Sequence, residues 1–446
     1  MTISLIPRVG YRAAAALAVS CVTLFVSTAP AAAAVEGAST INSGDTAWML
    51  MATALVLFMM IPGLALFYAG LVRAKNVLSI FMQCFALTSV LSILWLVCGY
   101  SLAFSDGNSL FGGLQLGFLA GVGADSPPRA DAPSIPLLLH FAYQMMFFLI
   151  TPGLFIGAFA ERMKFKAIMV FSVVWSLLVY VPVCHGVWHQ AGAFCGLSHV
   201  IDLAGGIVVH ITAGVAALVA CIMVGPRSGH PHTQMPPHHL PFTVAGAGML
   251  WVGWFGFNAG SQFAANGSAA MTLVVTHLSA CSAAVAWMAI EWIKGGKPSA
   301  LGIATGSIAG LAAITPAAGC VGPIGALIIG TVSACLCWLA CAKLKHKFQY
   351  DDALDVFGVH GVGGFVGTVL VAIFGSRHFA DGSGDFSIGS QLVTQLLAAL
   401  AATVLSAVVT YGLLKLIGAT IGLRVTREEE HTGLDLAEHG EEAYTN

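Results

Sequence analysis

The chain has 446 residues, of which 58% are hydrophobic and only 9% charged, with a formal net charge of −2. A soluble domain carries roughly 25% charged residues, so a single water-borne core is excluded. The apolar surface requires lipid, and the composition describes a chain that crosses a bilayer many times.

The first element in chain order is a targeting segment. Arg8 and Arg12 precede an apolar run from Ala13 to Val26, and small residues follow from Ala29 to Ala34. This is the pattern of a cleaved secretory signal, with cleavage near Ala34. The competing reading, an uncleaved first span, is disfavoured because the run is short for a full crossing. Residues 1–34 are therefore expected to be removed, placing the mature N-terminus outside a bacterial-type inner membrane.

Beyond the signal, apolar segments of crossing length recur near 47–71, 77–103, 135–159, 167–188, 201–224, 241–260, 269–293, 300–318, 323–343, 357–375 and 389–421. The pattern predicts an all-α polytopic protein of eleven transmembrane helices. The last segment is too long for one straight crossing, so its end is expected to emerge into water. With the N-terminus outside, the loops that fall in the cytoplasm hold Arg73, Lys75, Arg162, Lys164, Lys166, Arg227, Lys294, Lys297, Lys343, Lys345 and Lys347, and the tail adds Arg424 and Arg427. The outer loops hold only Arg129 and Arg377. This bias obeys the positive-inside rule, and a miscount by one span would destroy it. It puts the C-terminus in the cytoplasm.

The 51 glycines suit close helix packing in lipid. The 11 cysteines mostly lie in apolar segments and form neither a disulfide framework nor a metal-ligand spacing, so they read as small packing residues. The loop 104–134, with Pro127 and Pro128, reads as an ordered outer loop. The loop 225–240 carries His230, His232, His238 and His239 and reads as solvated rather than metal-binding. Residues 35–425 then form the membrane domain, and 426–446 a charged cytoplasmic tail.

An internal echo is the most informative feature. Asp202-Leu-Ala-Gly-Gly-Ile-Val-Val-His210 opens the fifth span, and Asp352-Ala-Leu-Asp-Val-Phe-Gly-Val-His360 opens the tenth. Each has a histidine eight residues after an aspartate. Copies separated by five spans insert in opposite directions, giving an inverted repeat of five plus five with an extra C-terminal helix and a site at the repeat interface. In a helix, eight residues make about two turns and 12 Å, which puts Asp and His on one face, with the Asp able to cap free N–H groups. A lone intramembrane histidine is ordinarily a packing or hydrogen-bonding residue, and His140, His185 and His277 read so. His210 and His360 differ because the repeat relates them. Two adjacent imidazoles can share a hydrogen bond and pass a proton.

At these residues the chain resembles the Amt/Mep/Rh family of ammonium transporters, most nearly its bacterial Amt members. The resemblance spans the mature chain and rests on Ile61-Pro-Gly-Leu-Ala-Leu-Phe-Tyr68, Ala158-Phe-Ala-Glu-Arg162, Asp202 to His210, Gly253-Trp-Phe-Gly-Phe-Asn-Ala-Gly-Ser261 and Asp355-Val-Phe-Gly-Val-His-Gly361. It implies a pore in each subunit of a homotrimer, with no cofactor and no enzymatic activity. It implies that Trp188, Ser261 and Phe147, with Asp202 below them, recruit ammonium outside. It implies that Phe147 and Phe257 gate the mouth, that His210, His360 and Trp254 line the pore, and that Asp352 is the inner counterpart of Asp202. Tyr143 departs from a Phe in close bacterial relatives, which bears on the outer vestibule. The tail stretches Gly422-Leu-Arg-Val425, Gly433-Leu-Asp435 and His439-Gly-Glu441 resemble a regulatory tail, which implies a PII-type signalling protein as partner on the cytoplasmic face.

Chemistry gives the implied function its logic. Aromatic faces, Trp above all, attract a cation, whereas an isolated Trp188 would read as part of an interfacial belt. A bare ion enters an apolar pore only at high cost. Ammonium can shed its proton and cross as ammonia, which potassium and sodium cannot do. The proton then returns outside or travels along His210 and His360, the second giving net current. Asp202 is expected to act through structure and field rather than as the proton acceptor. The alternatives are an ammonium sensor and an electroneutral Rh-like gas channel.

Overall fold

The computed structural model describes residues 41–195 and 199–444; the expected signal segment, residues 1–34, lies outside them. Eleven apolar helices run through the described residues: α1 Ser43–Leu71, α2 Ala74–Phe104, α3 Leu137–Phe159, α4 Phe165–Trp188, α5 Gly206–Val224, α6 Leu240–Gly260, α7 Gly267–Gly295, α8 Ala300–Ile314, α9 Pro323–Phe348, α10 Phe357–Phe374 and α11 Ile388–Thr420. Hydropathy located them to within a few residues, with two instructive differences. Helix α8 ends at Ile314 rather than 318, because Pro316 turns the chain to support another segment: its carbonyl accepts from Leu203 N at 3.2 Å. Helix α5 starts at Gly206 rather than 201, because residues 202–205 are non-helical and Gly205 takes φ +107°, a conformation open to glycine.

Helix α3 is the most buried and α11 the least. Val393, Leu397, Leu400, Val404 and Val408 of α11 form an exposed apolar stripe, with Val408 65% exposed. At helical spacing such a stripe is a lipid-facing surface. Its 33 residues rise about 50 Å, more than the hydrocarbon thickness of about 30 Å, so one end must protrude as expected.

The basic loops meet at one end. Arg73 pairs with Glu161 at 2.7 Å, Arg227 with Glu161 at 3.5 Å and with Asp351 at 2.8 Å, and the buried Arg162 approaches Asp351 at 4.0 Å. Burial opposes the charge on Asp351, but Arg227 and Arg162 hold its carboxyl well below the usual carboxylate range. Four of the five connections predicted to share a side therefore form one ion-pair network, here called the tail end. Arg129 and Arg377 lie at the opposite, Trp188 end.

The two repeat copies run in opposite directions and cross. Val224 and Gly225, at the end of α5, accept from Arg424 and Arg162 at the tail end, whereas the end of α10 lies beside Cys320 at the Trp188 end. Glycine marks the crossing reciprocally. Gly214, four residues after His210, packs on Gly361; Gly364, four residues after His360, packs on His210. A Cβ on Gly214 would lie 2.2 Å from the Gly361 nitrogen, and backbone cannot yield as a side chain can. Gly214→Ala is expected to separate the helices and lower thermal stability by about 1–3 kcal/mol, measured as loss of the folded detergent-solubilised protein on heating. An unchanged melting temperature would refute close contact at this crossing.

The tail is docked rather than free. Thr426 and Glu429 form a reciprocal capping box at the start of Arg427–Thr432. Glu430 accepts from Ser228 N at 2.6 Å and from Arg424 at 2.6 Å. Asp435 accepts from Leu78 N at 3.0 Å and Ser79 N at 2.7 Å, capping the α-helical part of α2. The histidine loop is solvent-accessible, as expected, with no residue of 225–240 fully buried, but His238 is tied down, lying 2.8 Å from the Val72 carbonyl and 2.9 Å from the Tyr444 hydroxyl. Its imidazole serves a carbonyl just past the end of α1 that has no helical partner.

Candidate functional site

Asp202 lies in the non-helical stretch before α5, not on the helix itself. The expectation that it shares a helical face with His210, two turns away, is corrected here. Its carboxylate folds over the helix start and accepts from Gly205 N at 3.0 Å, Gly206 N at 2.5 Å, Ile207 N at 2.8 Å and Val208 N at 3.1 Å. The first four N–H groups of a helix lack intrahelical partners, and in a buried site they need a charge-complementary acceptor. The sequence expectation of a capping aspartate holds, by wrapping rather than stacking. Asp352 is placed similarly before α10 but caps less: its Oδ2 accepts from Phe357 N at 2.8 Å, and its buried Oδ1 has no protein partner among the described residues.

Both histidines fall in the first, π-wound turns of their helices, Gly206–Ile211 and Phe357–Gly361. Such wide turns often mark functional positions. The crossing brings the imidazoles together: His210 Nδ1 and His360 Nδ1 lie 3.3 Å apart, and the rings are near-parallel at 19° with centroids 5.2 Å apart. One Nδ1 donates and the other accepts. Among the described residues, the buried Nε2 of His210 has no protein partner.

Aromatic rings continue from the histidines toward the Trp188 end. Trp254 stacks on His210 at 5.5 Å, held by its Nε1 donating to Thr315 Oγ1 at 2.9 Å. Phe257 lies 6.2 Å beyond His210 and stacks on Phe147 at 4.3 Å and 26°. Trp188 meets Phe147 edge to face at 5.7 Å, and its Nε1 donates to the Asp202 carbonyl at 2.8 Å. Ser261 donates to Phe257 O at 2.9 Å and lies 3.2 Å from the Tyr143 hydroxyl. That hydroxyl also reaches the Gly256 and Phe257 carbonyls at 2.8 Å each. Tyr143, the departure noted in the sequence, thus anchors the end of α6 and adds a polar group beside Ser261. Trp188, Ser261, Phe147, Phe257, Trp254, His210 and His360 follow one another along this file, Asp202 meets it through its carbonyl, and Asp352 caps the start of α10.

The file borders a cavity of about 10 Å³ lined by Phe67, Phe257, Trp254, His210, His360 and aliphatic side chains. That is about the space one water needs, and an ion with its water shell does not fit. His360 also borders a wider, more polar cavity of about 360 Å³ at the tail end, with Tyr68, Arg227, Lys345 and Asp355 on its walls. His140, His185 and His277 lie outside the pair. His140 pairs with the Tyr100 hydroxyl at 3.0 Å, and His185 lies 2.8 Å from each of the Ala103 and Asn108 carbonyls. His277, beside Cys281 at 3.5 Å, lies on the outer surface of α7.

Two supports escaped the sequence reading. Thr315 is a threonine one residue past an apolar helix, with nothing local to mark it. The glycine four residues after each histidine was a readable signal, since the repeat extends to it.

Over residues 47–444 the chain matches the Ammonium Transporter Family. It is 45% identical over 404 residues to an ammonium transporter of Bacillus subtilis (strain 168), covering 90% of this chain and 98% of the other. It is similar in fold to Mep2 of Saccharomyces cerevisiae, with a TM-score of 0.80 and 33% identity over 87% of this chain and 89% of that one. It is also similar to a structure described as a sensor Amt protein, with a TM-score of 0.82 and 29% identity over 89% and 98% of the two chains.

Proposed function

The chain belongs to the ammonium transporter family, and from that premise we propose that it strips ammonium of its proton at the Trp188 end and conducts ammonia through the paired histidines. It is a multi-pass membrane protein and a transporter, not an enzyme. Trp188 and Phe147 attract the cation through their ring faces, the Ser261 hydroxyl accepts an N–H bond, and the carboxylate of Asp202 contributes its field. Phe147 and Phe257 close the way to a hydrated ion. Ammonia passes His210 and His360 as a hydrogen-bonding neutral molecule, while the proton crosses along the two imidazoles, so that charge and nitrogen arrive together.

The observation that carries this reading is the pair of imidazoles 3.3 Å apart beside a cavity with room for about one water. We further propose that the tail end faces the cytoplasm and the Trp188 end the outside of the plasma membrane, a reading supported by the basic loops and by the signal expected over 1–34. We extend the proposal to a homotrimer, and to a PII-type signalling protein docking on the tail end. The docked tail and the ion-pair network supply an ordered surface there.

Purified protein in vesicles is expected to give an inward current when ammonium is added, and none with potassium or sodium at the same concentration. A second reading, ammonium sensing, draws on the similarity to the sensor Amt structure. It predicts ammonium binding without flux. Flux without current would instead favour electroneutral gas conduction.

A further inference from the structure

Helix α11 lies outside the five-plus-five repeat and faces lipid along most of its length, yet it carries two buried carboxamides. Gln395 is 0% and Gln391 6% exposed. Polar side chains inside a membrane bundle are costly and are retained for specific partners. Gln395 uses every hydrogen-bonding position it has. Its Oε1 accepts from Ile201 N at 2.8 Å and from Gln391 Nε2 at 3.1 Å. Its Nε2 donates to Ile201 O at 2.7 Å and to Thr368 O at 3.1 Å. Gln391 also donates to His199 O at 3.1 Å. One side-chain amide thus clamps both peptide groups of Ile201, as a neighbouring strand would.

The next residue is Asp202. Its carboxylate caps α5, and its carbonyl accepts the Trp188 indole. The inner counterpart has no such clamp from α11. Asp351, beside Asp352, is held by Arg162 and Arg227 instead. The extra helix therefore makes the two ends of a symmetric repeat unequal.

We propose that Gln395, backed by Gln391, is a positioning residue for ammonium recruitment, fixing the Ile201–Asp202 peptide and through it the Trp188 ring at the mouth. This rests on the transport reading above. Gln395→Met keeps the volume and leaves both Ile201 peptide groups without their partner. It is expected to raise the apparent KM for ammonium about tenfold, as the loss of one positioning contact does, and to leave maximal flux per inserted molecule little changed.

The test is a double-mutant cycle on ammonium flux in vesicles, using the intact protein, Gln395→Met, Trp188→Phe and both together. If Gln395 acts through the Asp202–Trp188 bond, its substitution raises KM by no more than about twofold once Trp188→Phe has removed the indole N–H. The same tenfold rise in both backgrounds, or an unchanged KM for Gln395→Met, overturns the proposal. Should Gln395→Met fail to insert, Gln395→Asn, which keeps the carboxamide but shortens its reach to Ile201, takes its position in the cycle. A smaller rise that again disappears with Trp188→Phe supports the proposal, and no rise overturns it. The unaltered protein, measured alongside, separates the two failures: without flux there, the transport reading falls and this inference with it.

Discussion

His360→Ala is expected to cut the ammonium-evoked current about a hundredfold, the lower range for loss of a positioned proton-transfer group. Among the described residues, His360 supplies the only protein partner of His210 Nδ1, at 3.3 Å. Truncation breaks the two-ring chain proposed to carry the proton and leaves a buried nitrogen unpaired. It also removes a ring from the wall shared by the narrow cavity and the tail-end vestibule. The conduit widens where it had room for about one water, so the residual current should lose its preference for ammonium over potassium. His210→Asp tests the same idea by another route. A carboxylate at this depth, unpaired, attracts a cation to compensate its desolvation, and potassium current is expected to appear. Bi-ionic reversal potentials in vesicles measure both. Ion selection and current like those of the unaltered protein in both variants would remove the histidine pair from the mechanism.

Asp202→Ala is expected to be the most damaging single change to the fold near the site. Four buried N–H groups converge on this carboxylate at 2.5–3.1 Å. Each buried donor left unpaired costs about 1–3 kcal/mol, so even partial relaxation leaves a loss of several kcal/mol at the start of α5. Because α5 carries His210, transport should fall with stability. Asp202→Asn is milder: one oxygen remains, but its NH₂ group faces donors. The expected order of melting temperature is intact protein, then Asn, then Ala, with transport following the same order. If Asn melted like the intact protein yet carried no ammonium, capping of α5 would not be what transport needs from Asp202, and the requirement would fall on the charge of its carboxylate.

The membrane architecture was readable because lipid imposes it. Every crossing helix must be long and apolar, and the basic loops declare their common side; the ion pairs from Arg73 through Glu161 and Arg227 to Asp351 bear out the alternation. The twin histidines were readable because an inverted repeat leaves a copy in the sequence. Geometry within a turn was not. Asp202 looked two helical turns from His210 because helix propensity says nothing about a chain that wraps its carboxylate around a helix start. The docking of Asp435 onto α2 depends on residues more than 350 positions apart, beyond any local pattern. Gln391 and Gln395 could have been noticed as polar residues in an apolar span, but their partners belong to a segment that hydropathy had assigned to helix.

The central claim is that nitrogen and charge cross together, one as ammonia and the other along His210 and His360. It is tested most directly by recording, in the same vesicles, the charge moved and the nitrogen accumulated. The mechanism predicts one elementary charge for each nitrogen, whatever the external pH. Nitrogen accumulating without matching charge would contradict it.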